Sequence, residues 1–105
     1  MTREHRYWVY IMTNRSAHAM YIGVTNDLER RVWEHRQGFG SEFAKKYRID
    51  RLVYTEEYQQ VSEAIAREKQ LKGWRRLRKN ELVMTTNPKW EDLMPDAPDD
   101  ETSKE

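Results

Sequence analysis

The sequence predicts a single α+β domain, in which three short strands form a sheet flanked by helices. Period-two alternation, rich in aromatic and β-branched residues, marks strands at residues 7–13, 20–24 and 51–58. Helical periodicity, with capping and stop signals, marks the segments between and after the strands. A chain of 105 residues is long enough for one modest core and too short for two. We therefore expect one domain with one sheet.

The charge distribution divides the chain into a basic body and an acidic tail. The net charge is only +1, yet residues 1–90 carry 18 of the 19 lysines and arginines and 11 of the 18 acids. Residues 95–105 are acidic, contain proline and have almost no apolar side chains, which predicts a disordered tail after a domain of residues 1–94. A basic body favours a polyanionic partner, although a solvated charged surface explains the same charge equally well.

Several classes of protein are excluded by features that the sequence lacks. Without cysteine, the chain has no disulfide, thiolate metal site or thiol nucleophile, and a cytoplasmic location is the simplest expectation. No apolar run is long enough to span a membrane, and the first residues lack the apolar stretch of a signal peptide. The three histidines show no zinc-site spacing, and glycine-rich phosphate loops and nucleophile elbows are absent.

The first two predicted strands form a hairpin that carries two tyrosines. Alternation places Tyr10 of the first strand and Tyr21 of the second away from the β-branched side chains of their strands. A short polar turn centred near Arg15 and Ser16 would bring the two tyrosines roughly opposite each other on one face of the sheet. Two isolated tyrosines are usually ordinary core or surface residues, so the pair gains meaning only from residues later in the chain.

A helix is predicted for residues 28–37, between a Thr-Asn-Asp cap segment and Gly38 as a stop. The apolar stripe of this helix, extended at helical spacing, includes Arg31 and His35, so two ionisable side chains point towards the sheet. Glu34 lies to the side, where a solvated charge is expected. Because a buried guanidinium needs a counter-charge, Arg31 is expected to reach solvent, to pair with an acid or to await an anionic ligand.

The middle of the chain is predicted to be a loose connection followed by the third strand. Residues 39–50 contain glycine and serine and then the basic cluster Lys45-Lys46-Tyr47-Arg48. Residues 51–58 alternate as a strand, which places on one side Leu52, Tyr54, Glu56 and Tyr58.

A second helix is predicted for residues 63–72, with Ser62 as its cap. Glu68 lies in the middle of the apolar stripe of this helix, between Ile65 and Leu71. A carboxylate on a face that packs in a core needs a cation or a metal ion as its partner. Glu68 is therefore a candidate metal ligand.

A third helix is predicted for residues 74–83, with Trp74, Leu77 and Leu82 as its apolar contacts. Bases are dense from Lys69 to Lys79, and a tryptophan interleaved with bases suits a phosphate backbone. A solvated helix face is an equal alternative. The predicted nucleic-acid-binding residues are Lys69, Lys72, Arg75, Arg76 and Lys79.

Together these residues suit cleavage of a phosphodiester bond. Glu68 can hold one Mg²⁺ or Mn²⁺ ion, because these hard ions accept a single protein carboxylate with water as the remaining ligands. Arg31 can neutralise charge that develops on the phosphate. Tyr10 or Tyr21 can take a proton from the attacking water if a nearby cation lowers the pKa of its hydroxyl. His35 can orient a group or relay a proton.

Two short motifs and three longer segments resemble the GIY-YIG nuclease superfamily. The motifs are Val9-Tyr10 and Tyr21-Ile22-Gly23, followed at the family's spacing by Arg31. The longer segments are E-R-R-V-W-E-H from Glu29, A-R-E-K-Q-L-K-G-W from Ala66 and N-P-K-W-E-D-L from Asn87. They are similar to small, stand-alone bacterial members, which resemble the catalytic domain of the incision subunit of nucleotide-excision repair. The resemblance covers about residues 7 to 93.

The resemblance implies a three-stranded antiparallel sheet flanked by helices, and metal-dependent cleavage of DNA. It assigns catalytic roles to Tyr10, Tyr21 and Arg31 and makes Glu68 the metal ligand, with Mg²⁺ or Mn²⁺ as the ion. His35 matches a position that is histidine in some members. The late asparagine of the family corresponds to Asn80 or Asn87. The first motif departs from the pattern, since Trp8 stands where a glycine is usual, and Val24 replaces a lysine that some repair members have.

The sequence therefore predicts a divalent-metal-dependent DNA endonuclease, acting in DNA repair or processing on a structured or damaged substrate. The alternative is a nucleic-acid-binding module that keeps the fold without cleavage. A protein-interaction domain would leave the inward Arg31 and Glu68 unexplained, and no protein partner or membrane is indicated. Which tyrosine acts as the base stays open at this point.

Overall fold

The computed structural model describes residues 5–95, and it has a three-stranded antiparallel sheet between two layers of helices. The strand order is β2-β1-β3, so β1 lies in the centre and β2 at an edge. The predicted fold class is confirmed. In chain order the elements are β1 (Tyr7–Thr13), β2 (Met20–Thr25), α1 (Leu28–Arg36), α2 (Glu42–Tyr47), β3 (Arg51–Tyr58), α3 (Val61–Lys72) and α4 (Arg76–Thr86).

The two faces of the sheet support two separate cores, as the alternation along β1 predicts. Val9 and Ile11 of β1 pack on one side in a cluster that includes Ala64 and Leu71 of α3 and Val83 of α4. The side chains that alternate with them pack on the other side with residues of α1 and α2; this second cluster includes Tyr10, Met12, Val32 and Ala44. The predicted tyrosine face is therefore the face that α1 and α2 cover.

The β1–β2 hairpin has a register that differs from the prediction by two residues. Tyr10 pairs with Gly23, and Tyr21 pairs with Met12. The turn is centred between Ser16 and Ala17, where Ala17 takes a left-handed backbone conformation with φ of 60°. Because the side-chain period of a strand is two, a shift of two residues leaves both tyrosines on the predicted face.

The expectation that β3 alternates along its whole length is wrong at one position. Ile11 of β1 pairs with Tyr54 and Met12 pairs with Leu52, so Val53 is an extra residue in a β-bulge. A bulge reverses the alternation beyond it. Leu52 accordingly packs on the tyrosine face, whereas Val53 and Tyr54 both pack on the opposite face.

Helix α1 begins and ends close to the predicted signals. Asp27 is the N-cap, and its Oδ1 accepts a hydrogen bond from the backbone N–H of Arg30 at 3.2 Å. The helix ends at Arg36, one residue before the predicted end, and Gly38 follows with φ of 84°. That positive φ favours glycine, which explains the stop.

Helix α2 was not expected, since residues 39–50 were predicted to be a loose connection. Ser41 caps this short helix by accepting the N–H of Ala44 at 3.0 Å, and Arg48 ends it in a left-handed conformation with φ of 56°. A helix of six residues with one buried side chain, Ala44, has too little apolar periodicity to be recognised from the sequence.

Helices α3 and α4 differ from their predicted starts and contacts. Helix α3 begins at Val61 after Gln60, so Ser62 is not its cap, and its buried stripe is narrow because Ile65 is exposed. Helix α4 begins at Arg76, two residues later than predicted. Leu77 is 76% exposed, so its predicted core contact is wrong, whereas Trp74 and Leu82 are partly buried against the core as predicted.

The segment after α4 returns to the sheet. Trp90 packs against the core, and the N–H of Leu93 donates to the carbonyl of Leu52 at 2.7 Å. Except for Pro95, the predicted acidic tail lies outside the described residues. Within residues 5–95, no helix is long and apolar enough to cross a membrane.

Candidate active site

Four of the residues predicted for the site lie together on the face of the sheet that α1 covers. The rings of Tyr10 and Tyr21 have centroids 6.2 Å apart, at a tilt of 39°. The imidazole of His35 lies edge-on to both, with centroids 5.8 Å from Tyr10 and 4.9 Å from Tyr21. Arg31 lies one helical turn before His35 on α1 and reaches the same group. We refer to Tyr10, Tyr21, Arg31 and His35 as the tyrosine cluster.

The hydroxyl of Tyr10 is the centre of the tyrosine cluster. Its oxygen accepts a hydrogen bond from Nε of Arg31 at 3.1 Å, and Nε2 of His35 lies 3.1 Å away. Since arginine can only donate, the proton of the hydroxyl is available for Nε2 of His35.

Two glycines provide the space that the tyrosine cluster occupies. A Cβ atom at Gly23 would lie 2.5 Å from the hydroxyl oxygen of Tyr10, so only glycine fits beneath this ring. A Cβ atom at Gly40, in the α1–α2 connection, would overlap Nδ1 of His35. The backbone of β2 and the start of α2 therefore contact the buried end of the cluster directly.

Burial keeps His35 neutral. Desolvation and, as the smaller effect, the nearby Arg31 charge lower the pKa of His35 to about 4. His35 is only 4% exposed, and its Nδ1 is buried with no hydrogen-bond partner among residues 5–95. At neutral pH the ring is therefore an uncharged partner for the Tyr10 hydroxyl.

Burial also keeps Tyr10 protonated. It raises the pKa of Tyr10 to about 12, against the lowering effect of the hydrogen bond from Arg31. The expectation that a nearby cation would lower the pKa is therefore wrong for Tyr10, because desolvation is the larger effect. Tyr10 is 1% exposed, whereas Tyr21 is half-buried on the edge strand. Of the two tyrosines, Tyr21 is the one that solvent reaches.

Arg31 pairs with an acid, which is one of the three outcomes expected for it from the sequence. Its Nη1 donates to Oε1 of Glu34 at 2.8 Å, one helical turn away, and its side chain is 27% exposed. Burial opposes the charge, but the hydrogen bonds to Tyr10 and Glu34 raise the Arg31 pKa above its ordinary value. The guanidinium is thus fixed at both ends while part of it stays open to solvent.

Within residues 5–95, Glu68 makes no hydrogen bond or ion pair with the tyrosine cluster. Its carboxylate forms an ion pair with Nζ of Lys72 at 2.7 Å, and its side chain is 14% exposed. It is on α3, whose buried residues Ala64 and Leu71 pack against the face of the sheet opposite the tyrosines. Helix α3 also contacts β2, the edge strand that carries Tyr21. Within residues 5–95, no group of three or more His, Cys, Asp and Glu side chains could hold a metal ion.

The GIY-YIG catalytic domain is the family whose model matches this chain, over residues 6–81. This chain belongs to the GIY-YIG family. The match confirms the family predicted from the sequence motifs. The matched region contains the whole tyrosine cluster and Glu68.

Several UPF0213 proteins are similar to this GIY-YIG chain. The UPF0213 protein of Staphylococcus saprophyticus is 32% identical over 78 residues, which cover 74% of this chain and 94% of the relative. A UPF0213 protein of Staphylococcus aureus is 36% identical over 77 residues, covering 73% and 93%. The solution NMR structure of the UPF0213 protein of Bacillus halodurans is 27% identical, with a TM-score of 0.54, and covers 88% of this chain and 98% of that chain.

The basic residues predicted to bind nucleic acid are distributed over the end of α3 and the start of α4 of this GIY-YIG domain. Lys69, Lys72 and Arg75 are exposed, and Lys79 is half-buried. Arg76 contacts the β1–β2 turn instead, since its Nη1 and Nη2 donate to the carbonyls of His18 and Ala17. Arg76 therefore connects α4 to the hairpin.

Trp74, whose place among the bases suited a phosphate backbone, is in contact with two arginines. The guanidinium of Arg78 lies 3.9 Å from the centroid of its ring, and that of Arg67 lies 5.2 Å away. These cation–π contacts occupy ring surface that a base would need.

The two candidate asparagines of the GIY-YIG chain have different environments. The buried Asn87 donates from Nδ2 to the carbonyls of Val53 at 3.0 Å and Glu91 at 2.9 Å, and its Oδ1 accepts the N–H of Glu91 at 2.9 Å. Asn80 accepts one bond from Nε of Arg76 at 2.9 Å. Asn87 thus holds the C-terminal segment against β3, and neither asparagine contacts the tyrosine cluster.

Two features of the GIY-YIG domain were missed in the sequence. Glu34 was expected to be solvated, yet it holds Arg31, and the only signal for this was the spacing of three residues. Glu56 of β3 accepts hydrogen bonds from the hydroxyls of Tyr54 at 2.6 Å and Tyr58 at 2.8 Å, and pairs with Nε of Arg67 at 2.9 Å. Because Arg67 precedes Glu68 on α3, this network fixes the helix beside the candidate metal ligand.

Proposed function

We propose that this GIY-YIG protein is a divalent-metal-dependent endonuclease that hydrolyses phosphodiester bonds of DNA in repair or processing. The observation that carries the proposal is the Arg31–Tyr10–His35 chain of hydrogen bonds, which holds a guanidinium beside the half-buried Tyr21. A fixed cation next to a proton acceptor is what cleavage of an anionic ester requires.

Arg31 binds the phosphate in this proposal. Its Nε is held by Tyr10 and its Nη1 by Glu34, so the guanidinium does not lose orientational freedom when the substrate arrives. A preorganised guanidinium neutralises the negative charge that grows on the phosphate oxygens as the water attacks. The partial exposure of its side chain leaves it within reach of a DNA strand.

In this proposal Tyr21 gives its own hydroxyl proton to solvent and then takes the proton of the attacking water, and Tyr10 positions Arg31. The raised pKa and the burial of Tyr10 make it a poor proton acceptor, whereas Tyr21 is half-buried and lies on the edge strand. His35 stays neutral and accepts the hydroxyl of Tyr10. The two tyrosines of the motifs thus have different tasks because one is buried and the other is reached by solvent.

Glu68 holds the metal ion in this proposal. One carboxylate with water ligands is a sufficient site for Mg²⁺ or Mn²⁺, which keep much of their hydration shell in proteins. The present partner of Glu68 is the exposed Lys72, whose side chain can move aside. When bound, the ion would supply charge stabilisation for the leaving oxygen.

The experiment is nicking of supercoiled plasmid and branched DNA with Mg²⁺ or Mn²⁺, compared with EDTA. We expect cleavage that Glu68→Gln and Arg31→Ala each lower by about a hundredfold or more. The matched controls are Glu63→Gln on the same helix and Arg30→Ala beside Arg31, both at exposed positions, which should retain cleavage. Equal cleavage by Glu68→Gln and Glu63→Gln would contradict the metal-binding role.

The second candidate function is a nucleic-acid-binding module without cleavage. It is favoured by the ion pairs that the two charged site residues already have, Arg31 with Glu34 and Glu68 with Lys72. Binding without nicking under any divalent ion, with unchanged affinity in both site variants, would support this module over the nuclease.

The nuclease and the binding module would both bind DNA. Its phosphates can be contacted from the α3–α4 side by Lys69, Lys72, Arg75 and Lys79. The cytoplasmic location and the structured or damaged DNA expected from the sequence belong to this proposal. Nicking rates on intact, branched and gapped DNA distinguish the substrates.

A further inference from the structure

An exposed aromatic surface lies beside the tyrosine cluster, at the α1–α2 connection and on α2. It consists of Phe39, Phe43 and Tyr47, which are 67%, 44% and 40% exposed, together with the half-buried Trp33 of α1. We refer to these four residues as the aromatic surface. Several neighbouring, exposed rings are unusual on a protein that stays monomeric, and they indicate a binding surface.

The rings of the aromatic surface form two pairs. Phe43 and Tyr47 lie one turn apart on α2, with centroids 4.9 Å apart and a tilt of 49°. Trp33 and Phe39 have centroids 6.1 Å apart and a tilt of 55°. Each pair holds its rings in a defined orientation, which lowers the entropy lost when a flat ligand stacks on them.

The charges around the aromatic surface are mainly positive. Residues 41–48 contain three bases, Lys45, Lys46 and Arg48, and one acid, Glu42. Nζ of Lys46 lies 5.4 Å from the centroid of the Tyr47 ring. Exposed rings interleaved with bases match a ligand that alternates flat apolar groups with negative charges, and a single strand of nucleic acid has this chemistry.

The aromatic surface is linked to the proposed active site through the α1–α2 connection. The backbone of Gly40 lies against Nδ1 of His35, and Phe39 is the residue before it. A cleft of about 260 Å³ between α1 and α2 is lined by His35, Lys45 and Arg48, among others. The α1–α2 connection thus joins the aromatic surface to the helix that carries Arg31 and His35.

We propose that the aromatic surface binds unpaired nucleotides next to the cleaved phosphate, so that the preferred substrate has a single-stranded segment. The inference rests on the proposed nuclease function and adds its substrate class. In a duplex the base faces are covered by their neighbours, whereas in a single strand they can stack on Phe39, Phe43 and Tyr47. Trp74 is not equivalent, because Arg67 and Arg78 already lie over its ring.

The test is DNA binding in EDTA, measured by fluorescence anisotropy with a labelled single strand and with its duplex. The variant Phe43→Ala/Tyr47→Ala removes one ring pair, and Leu77→Ala on α4 is the matched control, because Leu77 is also an exposed apolar side chain. We expect the double variant to raise the Kd for the single strand by about tenfold or more and the Kd for the duplex by less than about twofold. Leu77→Ala should change neither value.

A second variant keeps the proposal independent of folding. Phe43→Trp/Tyr47→Trp retains two stacking rings and should restore the Kd for the single strand to within about threefold of the wild type. Circular dichroism of both double variants should match the wild type, since the replaced rings are partly exposed.

Two outcomes would overturn the proposal. One is an equal loss of affinity for the single strand and the duplex. The other is unchanged single-strand affinity together with loss of an oligomer in sedimentation analysis, which would assign the surface to a second copy of this chain. The binding assay measures no cleavage, so it is independent of the plasmid nicking assay. A protein that binds the single strand through these rings but does not nick plasmid would refute the nuclease and support the aromatic surface as a binding site. Conversely, nicking that survives in the alanine variant with unchanged single-strand affinity refutes only the surface.

Discussion

The hydroxyl of Tyr10 lies directly over the backbone of Gly23, its pairing partner on β2. A Cβ atom at Gly23 would approach that oxygen to 2.5 Å and the neighbouring ring carbon to 2.7 Å. The tyrosine of the first motif therefore packs directly against the glycine of the second motif. The same contact places the hydroxyl between Arg31 and His35.

Gly23→Ala should displace the ring of Tyr10. We expect a loss of about 1–3 kcal/mol in the free energy of unfolding, because the added methyl group overpacks a buried site, and a loss of nicking with it. Urea denaturation measures the first and plasmid nicking the second. Gly73→Ala is the control, since its Cβ would meet nothing closer than 3.5 Å and its φ is −84°. Equal free energies of unfolding for the two alanine variants would show that the close packing of Tyr10 on Gly23 does not contribute to stability.

Tyr10→Phe should lower both stability and activity, although the ring is retained. The change leaves Nε of Arg31 and Nε2 of His35 without their shared partner, which we expect to cost about 1–3 kcal/mol in urea denaturation. Tyr7→Phe, on the same strand, is the control, since the hydroxyl of Tyr7 makes no hydrogen bond within residues 5–95. Tyr21→Phe should instead abolish nicking with a stability change within about 0.5 kcal/mol. Nicking by Tyr21→Phe at the wild-type rate would exclude Tyr21 as the base.

The stability of the protein should fall between pH 6.5 and pH 4 because of His35. Burial lowers the pKa of His35 from 6.5 to about 4 in the folded state. Over that interval the unfolded chain binds a proton that the folded chain does not, so acid favours unfolding. Above pH 6.5 His35 causes no pH dependence, because the ring is neutral in both states. Below pH 6.5 it lowers the free energy of unfolding by up to about 1.4 kcal/mol for each pH unit. Urea denaturation at several pH values measures the slope, and His35→Gln should reduce it; an identical slope in that variant would show that other groups cause it.

Asn87→Ala should destabilise the protein much more than Asn80→Ala. Removal of the Asn87 amide leaves the carbonyl of Val53 and both backbone groups of Glu91 without this partner, for a cost of about 2 kcal/mol or more. The single bond of Asn80 with the exposed Arg76 should contribute about 0.5 kcal/mol or less. Thermal unfolding of both variants decides this, and similar melting temperatures would contradict it.

The sequence predicted the elements whose signal is local. The ends of β1 and β3, the cap at Asp27 and the stop at Gly38 agree with the structure, because alternation and capping depend on neighbouring residues. Helix α2 was missed, since six residues with one buried side chain show no periodicity. The side of Leu52 was wrong because a bulge at Val53 depends on the partner strand, which local alternation does not contain.

The sequence predicted that Tyr10, Tyr21, Arg31 and His35 would lie on one side of the sheet, but it did not predict how they are arranged. The phase of α1 correctly directed Arg31 and His35 at the tyrosines. The phase of α3 directed Glu68 at the sheet but could not indicate which of the two faces the helix would cover. Periodicity defines one side of an element, whereas the choice of its partner depends on contacts between residues far apart in the chain.

The sequence by itself determined the family, the two tyrosines on one face of the sheet and the inward Arg31, because motif spacing and periodicity are properties of the chain. Only the tertiary structure decided that Tyr10 is buried and protonated while Tyr21 is within reach of solvent. It also decided that Glu34 holds Arg31, that Gly40 contacts His35 and that Phe39, Phe43 and Tyr47 are exposed. Burial is the physical reason, since the desolvation that sets a pKa arises from all the elements packed around a group.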